Sequence, residues 1–364
     1  MGWKRSTFEA LIWCAARLRR KRAFENPPRS ILVLRNNDIG DLIVITPLFE
    51  ALKRTFPTAK IVAGIGEWNR PVLERNPHVD EIVSVNAPWH NKMVSPQGLL
   101  PALRYLCCSP EVSDLKRQQF SVGIDILGSQ YGSLLFSRAG VAYRVGRRGF
   151  AGGHSGVDAF IDYDSSLHVG QEALKYAELL GAKDLPSARP QLFLSDDERR
   201  WGEQQWQPRA RGLKRVILAP RAGIDPRSWP LEGYFELAGK LAAHQQYEIV
   251  IVGGKREEPL REKFEATAPG MRNLTAQTGL RKDFALTAAA DLIIANSSMI
   301  THVAAAFKKP AIVLLGPYYE SAIELAKLWG HPESIMLGKD ADRPRLYSVD
   351  EVYDRVVRVL ESGK

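Results

Sequence analysis

The stretch at residues 31–57, ILVLRNNDIGDLIVITPLFEALKRTFP, admits few folds. It begins with an apolar, β-branched run, turns through a short polar segment closed by Gly40-Asp41, and continues with helical periodicity to Thr55. A strand that is apolar at successive positions is covered on both faces, which is the habit of parallel sheets flanked by helices. The reading is a strand at 31–35 and a helix at 42–55, with Asp41 in the first helical turn above the carboxyl end of the strand. Open α/β sheets bind ligands at that place. A helix N-terminus favours negative charge, so Asp41 is expected as a carboxylate able to accept a proton from a substrate hydroxyl. The same residue could serve only as a helix cap. The segment alone leaves both readings open.

The rhythm repeats along the 364 residues. Strands are expected at 31–35, 60–64, 81–85 and 120–126, with helices near 42–55, 67–75, 98–106 and 129–138. Residues 143–163, rich in Gly and Arg, read as a flexible basic loop, and 168–180 as a helix. Between 181 and 214 the composition is that of a linker with one short helix. A second series follows, with strands at 215–219, 247–252, 291–295 and 311–315 and helices near 231–243, 256–266, 283–289 and 300–307. A final amphipathic helix is expected at 349–360. This alternation predicts two doubly wound, Rossmann-like α/β domains, residues 31–205 and 206–364, facing a cleft that is the default ligand site.

Charge adds a third segment. The chain carries a net +9, and residues 1–30 hold eight Lys and Arg against Glu9 and Glu25, so 8 − 2 gives +6. Trp3, Phe8, Leu11, Ile12, Ala15 and Leu18 fall close to one helical face. A basic amphipathic helix of this kind suits an anionic membrane surface, although a solvated helix packed on its own domain fits the composition too. No apolar run reaches the length of a membrane span. No nucleic-acid motif accompanies the positive charge. Cys14, Cys107 and Cys108 match no metal or redox spacing, and the simple inference is a reducing cytosol.

Three stretches of the second half should meet at the carboxyl ends of its strands. The first, LAPRAGIDPRSWP at 218–230, carries Arg221 and Arg227, whose forked guanidinium groups pair well with phosphate. In the second, IVGGKREE at 251–258, two glycines let backbone approach a ligand, and Glu257 or Glu258 could accept from a ribose. The third, DLIIANSSMITH at 291–302, ends a strand at three good cap residues and opens a small-residue helix. Its first N–H groups, from Met299 to His302, would hold a diphosphate, with Ser297, Ser298, Thr301 and the His302 side chain nearby. The triplets Asp162-Tyr-Asp164 and Asp340-Ala-Asp342 lack a supporting ligand set, so no metal site is read.

Together these residues resemble glycosyltransferase family nine, the lipopolysaccharide heptosyltransferases, over most of residues 31–320. The Gly40-Asp41 pair, Thr46-Pro47, Arg227-Ser-Trp229-Pro230, Val252-Gly-Gly254 and Thr301-His302-Val-Ala-Ala-Ala306 carry the match in family order. The resemblance implies a GT-B fold and an inverting glycosyltransferase, with Asp41 as the base and Asn37, Asp38 and Gly40 beside it on the acceptor side. Arg227 would meet the donor diphosphate, where Lys is more usual, and Glu257 or Glu258 the nucleoside. The implied partners are a nucleotide-diphospho-sugar, ADP-heptose by resemblance, and a lipid-linked glycan acceptor, with no cofactor and no nucleic acid. The implied location is the cytoplasmic face of the inner membrane. One departure stands out: Ser297 and Met299 replace the acid and the glycine of the family turn before His302. Rival readings are a GT-B protein that binds an altered donor or no longer catalyses, and a nucleotide-sugar epimerase.

Overall fold

The computed structural model describes residues 23–220 and 225–362. The basic stretch at 1–22 and Arg221 lie outside the described residues. The chain forms two compact units, one ending at Ala188 and the other comprising Arg189–Lys364.

The first unit is built on a six-stranded parallel sheet: β1 (Ser30–Leu34), β2 (Lys60–Ile65), β3 (Glu81–Ser84), β4 (Val122–Asp125), β5 (Tyr143–Arg148) and β6 (Ala159–Asp162). Their spatial order is β3-β2-β1-β4-β5-β6, so β1 lies between β2 and β4. Leu32 pairs with Val62 on one side and Gly123 on the other, and β1 from Ile31 to Leu34 is buried.

The second unit repeats the order. β7 (Lys214–Ala219), β8 (Tyr247–Ile251), β9 (Arg272–Asn273), β10 (Leu292–Asn296), β11 (Ala311–Leu314) and β12 (Ser334–Leu337) run β12-β11-β10-β7-β8-β9. Alternate residues of its central strands pack on two separate apolar layers. Leu292 and Ile294 face one, and Ile293 and Ala295 the other. In both units the crossover direction reverses at the central pair, β1/β4 and β7/β10, and a crevice for ligands opens at the carboxyl ends of such a pair.

Several expectations change. The helix at 42–55 is two helices, Ile39–Val44 and Pro47–Thr55, because Pro47 has no N–H to continue the ladder. The Thr46 hydroxyl donates to the Ile43 carbonyl instead, at 2.7 Å. The basic stretch at 143–163 is not a loop but contains β5 and β6. Two of its three arginines are buried against partners that local composition does not reveal, Arg144 beside Asp158 and Arg147 on Glu172 at 2.6 Å, while Arg148 is exposed. The short helix expected in the linker at 181–214 is present as Asp196–Gln204, started by a reciprocal Ser195–Glu198 cap. Arg281 ties Glu198 to the helix Leu280–Ala289, which places 189–205 with the second unit. Strands β9 and β12 and the helices Pro110–Gln118 and Ala322–Trp329 are further elements beyond those read from the sequence.

Candidate active site

At the end of β1 the chain must leave the sheet and enter a helix within a few residues. Arg35, buried at the strand end, donates from Nη2 to Asp41 Oδ1 at 3.1 Å, while the Asp41 side chain keeps 29% exposure. Asp41 is the third residue of its helix, in the first turn. Asn36 donates to the Trp89 carbonyl, and Asn37 to the His90 carbonyl at 2.7 Å. The Asn37 carbonyl receives Trp68 Nε1 and Asn69 Nδ2, both at 2.9 Å. Asp38 meets Lys92 at 3.2 Å, and Gly40 lies half-buried in the first turn. The turn carrying Asp41 is therefore pinned on several sides. Burial and then the charge of Arg35 hold the His90 imidazole below its usual range. Sequence reading did not single out Arg35, although an arginine at the end of an otherwise apolar strand was its signal.

In the second unit a pocket of about 370 Å³ opens at the carboxyl ends of β7, β8 and β10. Gly253, Gly254 and Glu257 form one wall, Ser298, Met299 and Ile300 another, and Thr278 to Leu280 with Asp283 a third. Glu257 Oε2 accepts the Gly254 N–H at 2.7 Å, so one carboxylate oxygen already folds its own turn. Gly253 packs so closely on Glu257 that an added Cβ would lie 2.9 Å from the Glu257 Cβ. Glu258 is not among the lining residues.

The helix Met299–Ala306 begins in this pocket with Ser298 as its cap residue, yet the Ser298 hydroxyl makes no cap hydrogen bond. The Ser298 carbonyl takes both the Thr301 N–H and the Thr301 hydroxyl, the latter at 2.8 Å. Among the described residues nothing accepts from the N–H groups of Met299 and Ile300. Two aligned donors at the positive end of a helix can meet an anion. The Met299 thioether, where the family turn has glycine, stands in the same pocket.

Asn296, fully buried at the end of β10, joins the neighbouring loop to this turn. Its Oδ1 accepts the Trp229 N–H at 2.8 Å and its Nδ2 donates to the Pro220 carbonyl at 2.7 Å. Arg227 is held by its carbonyl to the Gly316 N–H at 3.1 Å and by its guanidinium over the Tyr318 ring at 4.9 Å. Its Nε is buried without a hydrogen-bond partner among the described residues. His302 is placed differently from the expectation. It is buried, and its Nδ1 is spent on His331 Nε2 at 2.8 Å rather than at the pocket wall. Asp283 was missed by sequence reading, and burial pushes its carboxyl up to about 6. Asp162 is paired with Arg148, and Asp340 accepts from Ser321.

The model of glycosyltransferase family 9 (heptosyltransferase) matches residues 112–344, more than half of the chain. The chain belongs to this family. It is 27% identical over 302 residues to lipopolysaccharide heptosyltransferase 2 of Salmonella typhimurium, covering 79% of this chain and 82% of that protein. The solved Escherichia coli ADP-heptose LPS heptosyltransferase II superposes with a TM-score of 0.71 at 21% identity, over 92% of this chain and 99% of that one. An E. coli heptosyltransferase solved with ADP gives 0.68 at 14% identity, covering 91% of this chain and 98% of that chain. The two Rossmann-like units thus have the GT-B fold of these neighbours, and membership makes this protein a glycosyltransferase. Among the described residues no helix is long and apolar enough to cross a membrane.

Proposed function

We propose that this family 9 enzyme moves a heptose from ADP-heptose to a lipid-linked lipopolysaccharide-core acceptor with inversion, at the inner face of the inner membrane. The observation that carries the reading is the open helix start at Met299 inside a pocket walled by Gly253, Gly254 and Glu257. It offers anion donors at one end and a carboxylate for a nucleoside hydroxyl at the other. Relatives named for heptosyl transfer, one of them solved with ADP, support the donor class.

In this reading Asp41 takes the proton of the acceptor hydroxyl while that oxygen bonds to the anomeric carbon. The bond from that carbon to the diphosphate oxygen breaks, and its electron pair leaves with the nucleoside diphosphate. The N–H groups of Met299 and Ile300 and the charge of Arg227 stabilise that leaving group. Arg35 fixes the Asp41 carboxylate, with Asn37, Asp38 and Gly40 shaping the acceptor side. His302 supports the donor helix through its bond to His331. Ser297, Ser298 and Thr301 set the turn, Glu257 faces the nucleoside, and Arg221 and Glu258 are assigned to the donor side by resemblance alone. The basic segment at 1–30 adds attraction to an anionic leaflet.

One pair of proteins tests the reading. Wild type should be raised in Tm by ADP and should transfer heptose from ADP-heptose. Asp41→Asn should keep the ADP shift and lose ~10²–10⁴ in transfer rate, because an amide cannot take the proton. Full turnover by Asp41→Asn would show Asp41 to be a cap. No Tm shift with millimolar nucleoside diphosphates would remove the donor assignment.

A further inference from the structure

We propose that the outward face of the helix Leu99–Cys108 in the first unit inserts into an anionic lipid leaflet and seats the Asp41 turn at its surface. The helix reads LLPALRYLCC. At about 100° per residue, Leu99, Leu103, Cys107 and Leu100 share one arc, and Arg104 follows at its edge. Ala102 and Leu106, which border this arc on the Leu99 side, are buried in the core with Trp89 and Val112. Exposure on the outer arc is large: Leu100 79%, Leu99 49% and Leu103 40%, with Met93 at 60% just upstream. Single exposed leucines are ordinary, but a contiguous set on one helix face marks a binding surface.

Charge decides the occupant. From Lys92 to Cys108 the chain has Lys92 and Arg104 and no acidic residue, and since Lys92 is paired with Asp38, Arg104 is the cation at the edge of the face. Arg104 has no ion-pair partner among the described residues. An apolar face edged by an unpaired arginine suits the boundary between anionic headgroups and acyl chains. A second copy of a chain with net charge +9 would bring like charges together at the same face. The position also serves the site. The Trp89 and His90 carbonyls, just ahead of this segment, hold Asn36 and Asn37 of the Asp41 turn. A helix seated in the leaflet would therefore carry the base close to a glycan that emerges from lipid. This inference rests on the proposed lipid-linked acceptor and adds a specific contact, separate from residues 1–30.

The test uses the full chain, wild type and Leu100→Glu, with vesicles of phosphatidylethanolamine and phosphatidylglycerol, and with neutral phosphatidylcholine vesicles as control. Leu100 is exposed, so the variant should fold normally. The expected result is wild-type co-sedimentation with the anionic vesicles and about tenfold or greater weakening in Leu100→Glu, with transfer to a delipidated acceptor unchanged. In Leu100→Trp the added emission should shift to the blue only when anionic vesicles are present. Equal sedimentation of wild type and Leu100→Glu overturns the proposal. So does absence of the shift, or a shift already present without lipid, which would mean that protein covers the face. A wild-type dimer dissociated by Leu100→Glu also overturns it. Transfer to the delipidated acceptor is read separately. Its loss in wild type with vesicle binding intact would sink only the proposed activity, and vesicle binding insensitive to Leu100 with transfer intact would sink only this contact.

Discussion

β4 and β10 occupy the same place in their two sheets and end on nearly isosteric residues, Asp125 and Asn296, but they handle the following helix start in opposite ways. Asp125 turns its carboxylate on its own turn, accepting from Ser129 N at 2.7 Å and Leu127 N at 3.1 Å. Ser129 then caps its helix by accepting from Gly132 N at 2.8 Å. That helix start is satisfied by protein and carries an acid. Asn296 instead sends its amide to the neighbouring loop, at Trp229 and Pro220, and the Ser298 hydroxyl caps nothing. That helix start is left with donors to offer. One topology thus gives a closed turn in the first unit and an anion-ready turn in the second. The difference lies in where one side chain spends its hydrogen bonds, because a fold places sites without choosing their chemistry.

The comparison breaks most severely at Asn296. Asn296→Ala strands the Trp229 N–H and the Pro220 carbonyl, each costing about 1–3 kcal/mol when buried and unpaired. Chemical denaturation should show a loss of roughly 2–5 kcal/mol, with weaker ADP binding in whatever remains folded. A loss below about 1 kcal/mol would mean that the two loops are held together by other contacts.

A smaller effect concerns Asp283, one of the two acids lining the pocket of the second unit. The Asp283 carboxyl rises from 3.8 to about 6 through burial, against a bond from the Thr278 hydroxyl that lowers it. The folded state therefore holds an extra proton between these values. Its contribution to stability is fully present below the lower value and is lost as pH rises through the upper one. From pH 4 to pH 7 this group should cost about 2 kcal/mol, on the scale of 1.4 kcal/mol per unit. Asp283→Asn should remove that part of the pH dependence and raise the Tm at pH 7.5. Parallel pH profiles for the two proteins would show that Asp283 is hydrated rather than held in the pocket.

The smallest effect compares the two caps directly. Ser129→Ala should cost about 1 kcal/mol, as loss of a working cap does, whereas Ser298→Ala should cost less than about 0.5 kcal/mol in the free protein. Equal costs, measured by denaturation without ligand, would mean that the Ser298 hydroxyl caps its helix after all.

Much of the fold was legible because it rests on local patterns. Apolar runs alternate with amphipathic stretches, and that alternation is enough to specify two doubly wound units. Asp41, the Gly253-Gly254 pair and the helix start at Met299 were legible for the same reason, since each is defined by its offset from a strand end. β5 and β6 were not, because burying Arg144 and Arg147 depends on Asp158 and Glu172, which reach them only across the sheet or from a later helix. Nor was the placement of His302, whose partner His331 lies 29 residues away.

The sequence by itself determined the alternation of strand and helix, the excess positive charge and the residue types at the strand ends, since these depend on neighbours along the chain. The tertiary structure decided that Arg35 holds Asp41, that Asn296 serves a neighbouring loop, and that Leu99, Leu100 and Leu103 stand exposed. Such outcomes turn on which distant groups arrive to satisfy a hydrogen bond, a charge or an apolar surface. Packing sets that, and no local pattern encodes it.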